Sequence, residues 1–386
     1  MNPGIDRLSF YCPAYALDLR RLAEARGVDP DKYLSGLGQE TMAVAPPDED
    51  IVTMAASAAL PIVEADGADD FDWILVATET GVDQSKAAAT FVHGLLELPS
   101  TCSALELKQA CYSATAALHM ACAWVAARPD RAVLIVASDI ARYELCNPGE
   151  PTQGAGAVAM RITARPRVLE IDPFRGVHAD DVFDFWRPNY REEALVDGQY
   201  STRMYLAALT AAWERYGAAS GLDWTAFRRQ CFHLPFTRMA EKAMLHLQRT
   251  ARWPSEGFRD RIADGLAYNR HTGNTYAASL YESLTCLLET AAEDLAGARV
   301  GLFSYGSGCT AEFFSGVVRP GYREVLRAEA HRRQLADRVA LDYRQYEDIV
   351  RLPLPKDGGE HVFAQYRTGP FRFAGLSQHK RVYERL

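Results

Sequence analysis

The chain alternates between short apolar runs rich in β-branched residues and longer segments whose apolar residues have helical spacing. Apolar runs that end in polar residues are typical of buried strands, and in the first half such runs cover 71–80, 131–140 and 154–162. An opening strand before Pro13 and several helices complete the pattern, the helices covering 17–26, 50–65, 85–96 and Cys111 to Ala127. This alternation indicates an α/β fold.

The second half repeats this order with different residues at the same points. A strand over 227–236 carries a histidine where the first half has a glutamate, and a helix over 274–289 opens on asparagine where the first half has a cysteine. Two further strand-like runs complete the match, 298–308 and 309–318. We therefore expect two similar βαβ-rich halves related by duplication, covering 1–165 and 166–386.

Five polar side chains fall where a predicted strand ends or a predicted helix begins: Glu79, Cys111, His233, Asn274 and Ser307. In parallel α/β sheets, functional groups gather at the carboxyl ends of strands and the amino ends of helices. If the two halves pack about a pseudo-twofold axis, these side chains converge in one cleft. A thiolate, a carboxylate, an imidazole and a glycine-rich loop suit acyl transfer followed by carbon–carbon bond formation.

Each of these residues also has a structural alternative that the sequence leaves open. Cys111 is expected at the positive end of a helix macrodipole, which stabilises a thiolate nucleophile, but most buried cysteines are inert. Glu79 is either a general base or a carboxylate that caps backbone amides, and His233 either polarises a carbonyl oxygen or is a hydrogen-bonded core residue. Asn274 either donates its amide to a ketone oxygen or caps a helix. The YGSG stretch, 305–308, forms either an oxyanion hole or a tight turn.

Composition and charge narrow the class of protein. The 386 residues, 48% of them hydrophobic, suffice for an ample core, and a net charge of −8 argues against nucleic-acid binding. Residues 109–127 carry no formal charge and approach the length of a membrane span, but their polar side chains favour a core helix: Gln109, Tyr112, Ser113, Thr115 and His119. The chain opens without the features of a signal peptide, so we expect a cytoplasmic protein without membrane contact.

The eight cysteines form no CxxC pair, which in a chain of this length indicates reduced thiols. Two Cys/His pairs stand close in sequence, His119 with Cys122 and Cys231 with His233. Neither has the second pair that a zinc site requires. We therefore expect no metal site.

Several longer blocks carry a family resemblance: KQACYSATAAL, GEPTQGAGAVAM, DFWRPNY followed by ALVDGQYS, FHLPFTRMAEKA, GNTYAASLY and SYGSG. The opening LAEARGVDPDKYLSGLGQETMAV and the closing GPFRFAGLSQHKRVYE belong with them. Together they resemble the 3-hydroxy-3-methylglutaryl-CoA (HMG-CoA) synthases over nearly the full length. The closing segment and DFWRPNY are most similar to synthases of actinobacterial type.

The resemblance implies a thiolase-like five-layer αβαβα fold, a homodimer and a ping-pong condensation. In that reaction acetyl-CoA, acetoacetyl-CoA and water give HMG-CoA and free CoA, so coenzyme A thioesters are substrates and no cofactor is expected. In the family's terms Cys111 is the acetylated nucleophile and Glu79 the general acid/base. His233 helps to bind and polarise the acetoacetyl thioester.

The resemblance also assigns further positions to the site. Substrate contacts are implied for Asn274, Ser307, Gly306, Tyr143 and Thr152. Support of the site is implied for Asp83, Asp139, Asp184 and Tyr276, where solvated or structurally paired carboxylates are the alternative for the three aspartates. Arg238 and Lys242, spaced i,i+4, are expected to bind the phosphates of CoA, although charges on helix faces are usually solvated. Arg238 replaces a lysine common in the family.

Two departures and one sister group bear on the substrate. Cys309 stands where many relatives have serine, and Ala277 stands where threonine is common. The sister group works in polyketide β-branching on acetyl and β-ketoacyl groups held by acyl carrier proteins, and it shares KQACYS. The short loop ARYELCNPGEPTQ favours CoA substrates. A thiolase or ketoacyl synthase would need a different catalytic set, and a partner-binding scaffold would leave every polar strand end idle.

Overall fold

The computed structural model describes residues 2–254 and 256–386. Its strands are β1 (Gly4–Tyr11), β2 (Tyr15–Asp18), β3 (Thr41–Val44), β4 (Phe71–Ala77), β5 (Ser103–Leu107), β6 (Ala132–Ala141), β7 (Gly154–Thr163), β8 (Leu169–Ala179), β9 (Phe185–Trp186), β10 (Leu195–Val196), β11 (Arg229–Phe232), β12 (Arg299–Gly306), β13 (Thr310–Val318), β14 (Val339–Leu341), β15 (His361–Val362), β16 (Phe371–Ser377) and β17 (Lys380–Arg385). Its helices are α1 (Leu19–Arg26), α2 (Asp31–Leu34), α3 (Ile51–Asp66), α4 (Ala88–Leu95), α5 (Ser113–Ala127), α6 (Gly198–Ser220), α7 (Met239–Thr250), α8 (Ala267–Thr272), α9 (Ser279–Thr290), α10 (Ala328–Ala336) and α11 (Tyr343–Arg351).

The central sheet is built from two halves with one topology. Its strand order is β11-β12-β13-β8-β1-β7-β6-β4-β5. β4 is parallel to β6, β6 antiparallel to β7 and β7 antiparallel to β1; β11, β12, β13 and β8 pair in the same way. The halves join where Gly4 of β1 lies opposite Glu170 of β8. A Cβ on Gly4 would lie 2.0 Å from the carbonyl oxygen of Leu169, so the junction needs glycine. The predicted duplication is therefore confirmed.

Helices cover both faces of each half-sheet. α3 packs on β1, β6 and β7, and α6 packs in the equivalent place on β8, β12 and β13. α5 and α9 lie between the half-sheets, where their apolar residues share one core with strands of both halves. Two further cores lie under α3 with α4 and under α6 with α7. This order of helix and sheet layers is the five-layer αβαβα arrangement that was predicted.

The predicted elements are present with shifted ends. The strand predicted over 71–80 ends at Ala77, because the next three residues turn around the buried carboxylate of Asp139. The helix predicted from Asn274 opens as a 3-10 turn, Tyr276–Ala278, and becomes α9 only at Ser279. β8 and the 23-residue α6 have no counterpart among the predicted elements.

The uncharged stretch around Cys111 lies in the core. The segment Ala110–Ala127, which contains α5, is long and apolar enough to cross a membrane by length and composition alone, and 50% of it is buried inside the protein. α5 packs on β4, β6 and β7 and contributes Ala114, Leu118 and Val125 to the central core. These contacts are those of a core helix, as predicted.

Candidate active site

Cys111 and Glu79 meet because their strands are neighbours. β4 and β5 are parallel, with Ala77 opposite Leu107, so the turns that follow both strands lie at the same edge of the sheet. Glu79 stands in the first turn and Cys111 in the second, just before α5. The Cys111 Sγ donates a hydrogen bond of 3.0 Å to Oε1 of Glu79. The structure thus brings together the predicted nucleophile and the predicted base.

Burial raises the pKa values of both groups. Loss of solvent, followed by the nearby Asp139 carboxylate, raises the pKa of Glu79 to about 8. Burial and then the Glu79 carboxylate raise the pKa of Cys111 well above its usual value. The prediction that the helix macrodipole holds Cys111 as a thiolate is therefore wrong, because α5 begins only at Ser113 and desolvation beside a carboxylate outweighs the helix end. The resting nucleophile is a thiol that is hydrogen-bonded to its base.

Asp139 holds the Glu79 turn in place. Its Oδ1 accepts hydrogen bonds from the hydroxyls of Thr78 and Thr80, at 2.7 and 2.6 Å, and from the amides of Glu79 and Thr80. Its Oδ2 accepts the amide of Ala277 from the second half at 3.0 Å. Burial raises the pKa of Asp139, and these hydrogen bonds oppose the rise. Asp139 thus fixes the base and ties it to the start of α9.

The glycine-rich loop after β12 lies directly against the Cys111 turn. A Cβ on Gly306 would lie 2.5 Å from the carbonyl oxygen of Gln109 and 2.7 Å from the backbone nitrogen of Tyr112, so only glycine allows this approach. The Gln109 side-chain amide donates to the Ser307 carbonyl at 3.3 Å. The loop is therefore positioned to face an acyl group on Cys111.

Asp184 supports this loop from the other side. Its carboxylate is fully buried and accepts hydrogen bonds from the Gly308 amide at 2.9 Å and from the Tyr305 hydroxyl at 2.8 Å. Burial and then Asp184 raise the pKa of Tyr305, so this phenol stays protonated. Asp184 is therefore a structural anchor of the loop.

His233 follows directly on β11 and is buried as a neutral imidazole. Its amide donates to the Phe303 carbonyl at 2.8 Å, and the next residue, Leu234, is hydrogen-bonded through its amide and its carbonyl to Ser279 at the start of α9. Burial lowers the pKa of His233 to about 3. Among the described residues, its Nδ1 has no hydrogen-bond partner.

Asn274 and three neighbouring side chains form the wall of the site. The Asn274 Oδ1 accepts the Tyr276 amide at 2.9 Å. The N-cap of α9 is Ala278, so Asn274 does not cap that helix as the capping alternative proposed. Its backbone amide donates to the Thr152 carbonyl at 3.2 Å. Tyr276 packs with Cys111 and Phe185. Burial raises the pKa of Tyr143, whose hydroxyl lies beside those of Thr152 and Tyr276.

Three predicted site residues lie outside this cluster. Arg238 is half-exposed and pairs with Glu241 at 3.0 Å, and the Lys242 Nζ lies 4.7 Å from the ring centre of Phe236. Asp83 is exposed in the turn between β4 and α4. The structure does not bring these side chains to Cys111.

Two residues at the site escape prediction from the sequence. Arg187 donates a hydrogen bond to the backbone carbonyl of Glu79, and its charge lowers the pKa of that carboxyl against the larger effect of burial. Gln109 bonds the glycine-rich loop. Arg187 lies in the DFWRPNY block, but nothing in apolar periodicity marks either residue.

Comparison with protein families gives a match over most of the chain. The family model described as hydroxymethylglutaryl-coenzyme A synthase N terminal matches residues 1–166. The corresponding C-terminal model matches residues 169–252 and 246–353.

Curated proteins and solved structures give the same match. The hydroxymethylglutaryl-CoA synthase of Enterococcus faecalis is 42% identical over 358 residues, covering 92% of this chain and 94% of that protein. The polyketide biosynthesis 3-hydroxy-3-methylglutaryl-ACP synthase of Bacillus subtilis is 32% identical, covering 91% and 88%. An HMG-CoA synthase complexed with CoA has a TM-score of 0.96 at 39% identity, and the curacin-pathway HMG synthase with holo donor-ACP has one of 0.92 at 30% identity; each comparison covers 100% of both chains.

Proposed function

The chain belongs to the hydroxymethylglutaryl-CoA synthase family, and we propose that it condenses an acetyl group carried on Cys111 with acetoacetyl-CoA to give HMG-CoA. The observation that carries this proposal is the hydrogen bond of 3.0 Å between the Cys111 thiol and the Glu79 carboxylate. A nucleophile within hydrogen-bond reach of a base is what acyl transfer to an enzyme thiol requires.

In the first step Cys111 takes the acetyl group from acetyl-CoA. The thiol proton passes to Glu79, the sulfur attacks the acetyl carbonyl carbon, and the bond from that carbon to the CoA sulfur breaks. CoA leaves as a thiol with the proton that Glu79 returns. The glycine-rich loop, residues 306–308, supplies dipoles for the oxyanion of the tetrahedral intermediate.

In the second step the acetyl group becomes a carbon nucleophile. Glu79 removes a proton from its methyl group, the resulting carbanion attacks the ketone carbon of acetoacetyl-CoA, and the ketone oxygen is protonated to a hydroxyl. Water then adds to the thioester carbonyl, the bond to the Cys111 sulfur breaks, and HMG-CoA leaves with the thiol restored. A carboxyl whose pKa is raised to about 8 suits a group that both accepts and returns protons.

His233 and Asn274 are assigned to the acetoacetyl group. A neutral imidazole can donate a hydrogen bond to a ketone oxygen without adding a charge. Asn274 uses its side-chain oxygen on the Tyr276 amide, which leaves its amide nitrogen as a donor. Tyr143 and Thr152 line the same wall and are assigned contacts with substrate.

Arg238 and Lys242 are assigned to the phosphates of coenzyme A. Arg238 lines a cavity of about 230 Å³ together with Arg270 and Ser35. Burial and then the charge of Arg238 lower the pKa of Lys242, so the two cations stand close together. Convergent cations of this kind suit a phosphate group.

Coenzyme A, and not an acyl carrier protein, is proposed as the carrier of both acyl groups. The sequence is more similar to the CoA-named relative than to the ACP-named one. Ala277, a departure from the family, acts at the site through its backbone amide on Asp139, which any residue but proline supplies. Cys309 is buried beside the glycine-rich loop and leaves the Asp184 contacts of the loop intact.

We also propose a cytoplasmic homodimer whose chains divide into halves at residues 165 and 166. β5 is an edge strand of the sheet, Leu105 on it is 44% exposed, and Met120 on the adjacent α5 is 47% exposed. A second copy that pairs there would cover an otherwise open edge.

Eight free thiols suit the cytoplasm, which is a reducing compartment. The proposed boundary between the two halves of the chain falls between β7 and β8.

A comparison of acyl carriers tests this function. The purified protein is incubated with acetyl-CoA and then with either acetoacetyl-CoA or an acetoacetyl carrier protein, and HMG thioesters are measured by mass spectrometry. We expect turnover with acetoacetyl-CoA, none with Cys111→Ser, and unchanged turnover with the control Cys286→Ala, a buried thiol in α9. Faster turnover on the carrier protein would assign the chain to the β-branching group, and absence of any HMG product would refute the proposed reaction.

A further inference from the structure

Glu312 lies behind the Cys111 turn and takes no part in the steps described above. Its side chain, on β13, is fully buried and contacts two residues of the Cys111 helix. The Tyr112 hydroxyl donates a hydrogen bond of 2.7 Å to its Oε2, and Nε2 of His119 lies 2.5 Å from its Oε1, out of line for a hydrogen bond. One carboxylate thus holds both the residue after Cys111 and a residue about two turns further along.

Burying a carboxylate between a helix and a strand is energetically unfavourable. Among the described residues, the guanidinium closest to Glu312 is that of Arg175, 3.7 Å away with half of its side chain exposed. Burial of a charge is unfavourable unless it is paired and hydrogen-bonded, and apolar side chains would join the same elements at lower cost. Unlike apolar packing, the carboxylate sets the orientation of a side chain, because its hydrogen bond fixes where the Tyr112 ring lies.

The position of Tyr112 matters because the glycine-rich loop packs against it. A Cβ on Gly306 would lie 2.7 Å from the Tyr112 Cβ, so the two residues touch without slack. Gly306 and Glu312 also stand on paired strands of one hairpin, with Gly306 opposite Thr310 and Ser304 opposite Glu312. Through Tyr112, Glu312 therefore ties the start of the Cys111 helix to the hairpin that carries the loop.

We propose that Glu312 is a positioning residue for acyl transfer, which sets the Cys111 sulfur against the Gly306–Gly308 loop through Tyr112 and His119. This inference rests on the proposed function, since it concerns the rate at which Cys111 is acetylated. A misplacement of about 1 Å between reacting groups can lower a rate by about 100-fold. Binding of acetyl-CoA does not depend on that separation, so the maximal rate should change and the half-saturating concentration should not.

A second network of the same composition provides a matched control. Glu289 accepts a hydrogen bond of 2.6 Å from the Tyr268 hydroxyl and lies 2.9 Å from Nδ1 of His331. The side chains of Glu289 and His331 are both buried, with exposures of 1% and 3%. Within the described part of the chain, this network has no hydrogen bond to the Cys111 turn or to the glycine-rich loop. Glu289→Gln therefore removes the carboxylate of a Tyr–Glu–His network without touching the site.

Acetylation of Cys111 is measured by rapid quench and intact mass for the wild type, Glu312→Gln and Glu289→Gln over a range of acetyl-CoA concentrations. Glu312→Gln should lower the maximal rate by about 10- to 100-fold with the half-saturating concentration nearly unchanged, while Glu289→Gln should match the wild type. Alkylation of Cys111 by iodoacetamide needs no oxyanion loop and should proceed alike in all three proteins. Tyr112→Phe should reproduce the loss, and its combination with Glu312→Gln should add little.

The outcomes separate this inference from the proposed function. A wild-type protein that does not acetylate Cys111 overturns the proposed function. A wild type that acetylates, with Glu312→Gln and Glu289→Gln equally fast or equally slowed, overturns the positioning role alone. An alkylation rate that falls together with acetylation also overturns it, because Glu312 would then act on thiol ionisation. If Glu312→Gln does not fold, Tyr112→Phe decides, since it removes only a hydroxyl.

Discussion

Replacing Glu79 by glutamine should separate the two half-reactions. Glutamine keeps the size of the side chain but removes its charge and its ability to accept a proton. After burial itself, the Glu79 carboxylate is the largest influence that raises the pKa of Cys111. Its removal makes the thiol easier to ionise, which offsets the loss of the base. We therefore expect Glu79→Gln to acetylate Cys111 within about tenfold of the wild-type rate.

Condensation has no such compensation, because the acetyl methyl group is a far weaker acid than the thiol. A positioned general base contributes about 10²- to 10⁴-fold to proton transfer, so condensation by Glu79→Gln should fall by that factor. In the wild type the ionised form of Glu79 is the active base. With a pKa of about 8, the ionised fraction grows from about one-tenth at pH 7 to about nine-tenths at pH 9. Condensation should therefore rise roughly tenfold over that range.

The assay follows each half-reaction alone. Intact mass reports acetyl-Cys111 after mixing with acetyl-CoA, and HMG-CoA is then measured after a chase with acetoacetyl-CoA. Glu282→Gln is the control for acetylation, because Glu282 is a fully buried carboxylate that accepts hydrogen bonds from Thr272 and Thr275 and not from Cys111. Condensation by Glu79→Gln at the wild-type rate, or a wild-type rate that does not change between pH 7 and 9, would refute the assignment of Glu79 as base.

Three further substitutions test other parts of the site. His233→Ala should acetylate normally but lose condensation. Because burial lowers the pKa of His233 to about 3, the pH profile of the wild type should show no limb near the usual histidine pKa of about 6.5. A limb near that pH in the wild type that is absent in His233→Ala would contradict this prediction. Arg187→Met removes a cation that lowers the pKa of Glu79, so the rise of the condensation rate with pH should move to higher pH. If the rise stays at the same pH or moves to lower pH, Arg187 does not act on Glu79. Gly306→Ala places a Cβ 2.5 Å from the Gln109 carbonyl oxygen. It should lower the free energy of unfolding by about 1–3 kcal/mol, measured by thermal melts, and should also lower the acetylation rate, measured by rapid quench. If both values equal those of the wild type, the glycine-rich loop does not pack on the Cys111 turn.

The sequence predicts those parts of the fold whose residues carry a local signal. Apolar runs locate β4, β6, β7, β12 and β13, and the repeat of their order reveals the duplication. β8 escapes because Asp172, Pro173 and Gly176 interrupt its apolar pattern, and it pairs with β13 through a shift in register. α6 does show helical spacing at Tyr205, Leu209 and Tyr216, all buried on one face, so that signal was available in the sequence.

The same distinction, between features with and without a local sequence signal, applies to the site. Glu79 and Cys111 meet because parallel strands end at one edge, which a sequence pattern can indicate. The ionisation state of Cys111 depends on loss of solvent and on a carboxylate that arrives from another strand, and no local pattern encodes either. For the same reason the partners of Glu312 and Arg187 emerge only from packing.

The most direct test of the account follows one acetyl group through the enzyme. The protein is loaded with isotopically labelled acetyl-CoA, digested and analysed by mass spectrometry before and after a chase with unlabelled acetoacetyl-CoA. We predict label on the peptide that contains Cys111 and its transfer, after the chase, into HMG-CoA. Label on no peptide, on a peptide without Cys111, or on Cys111 but never released to product would contradict the account.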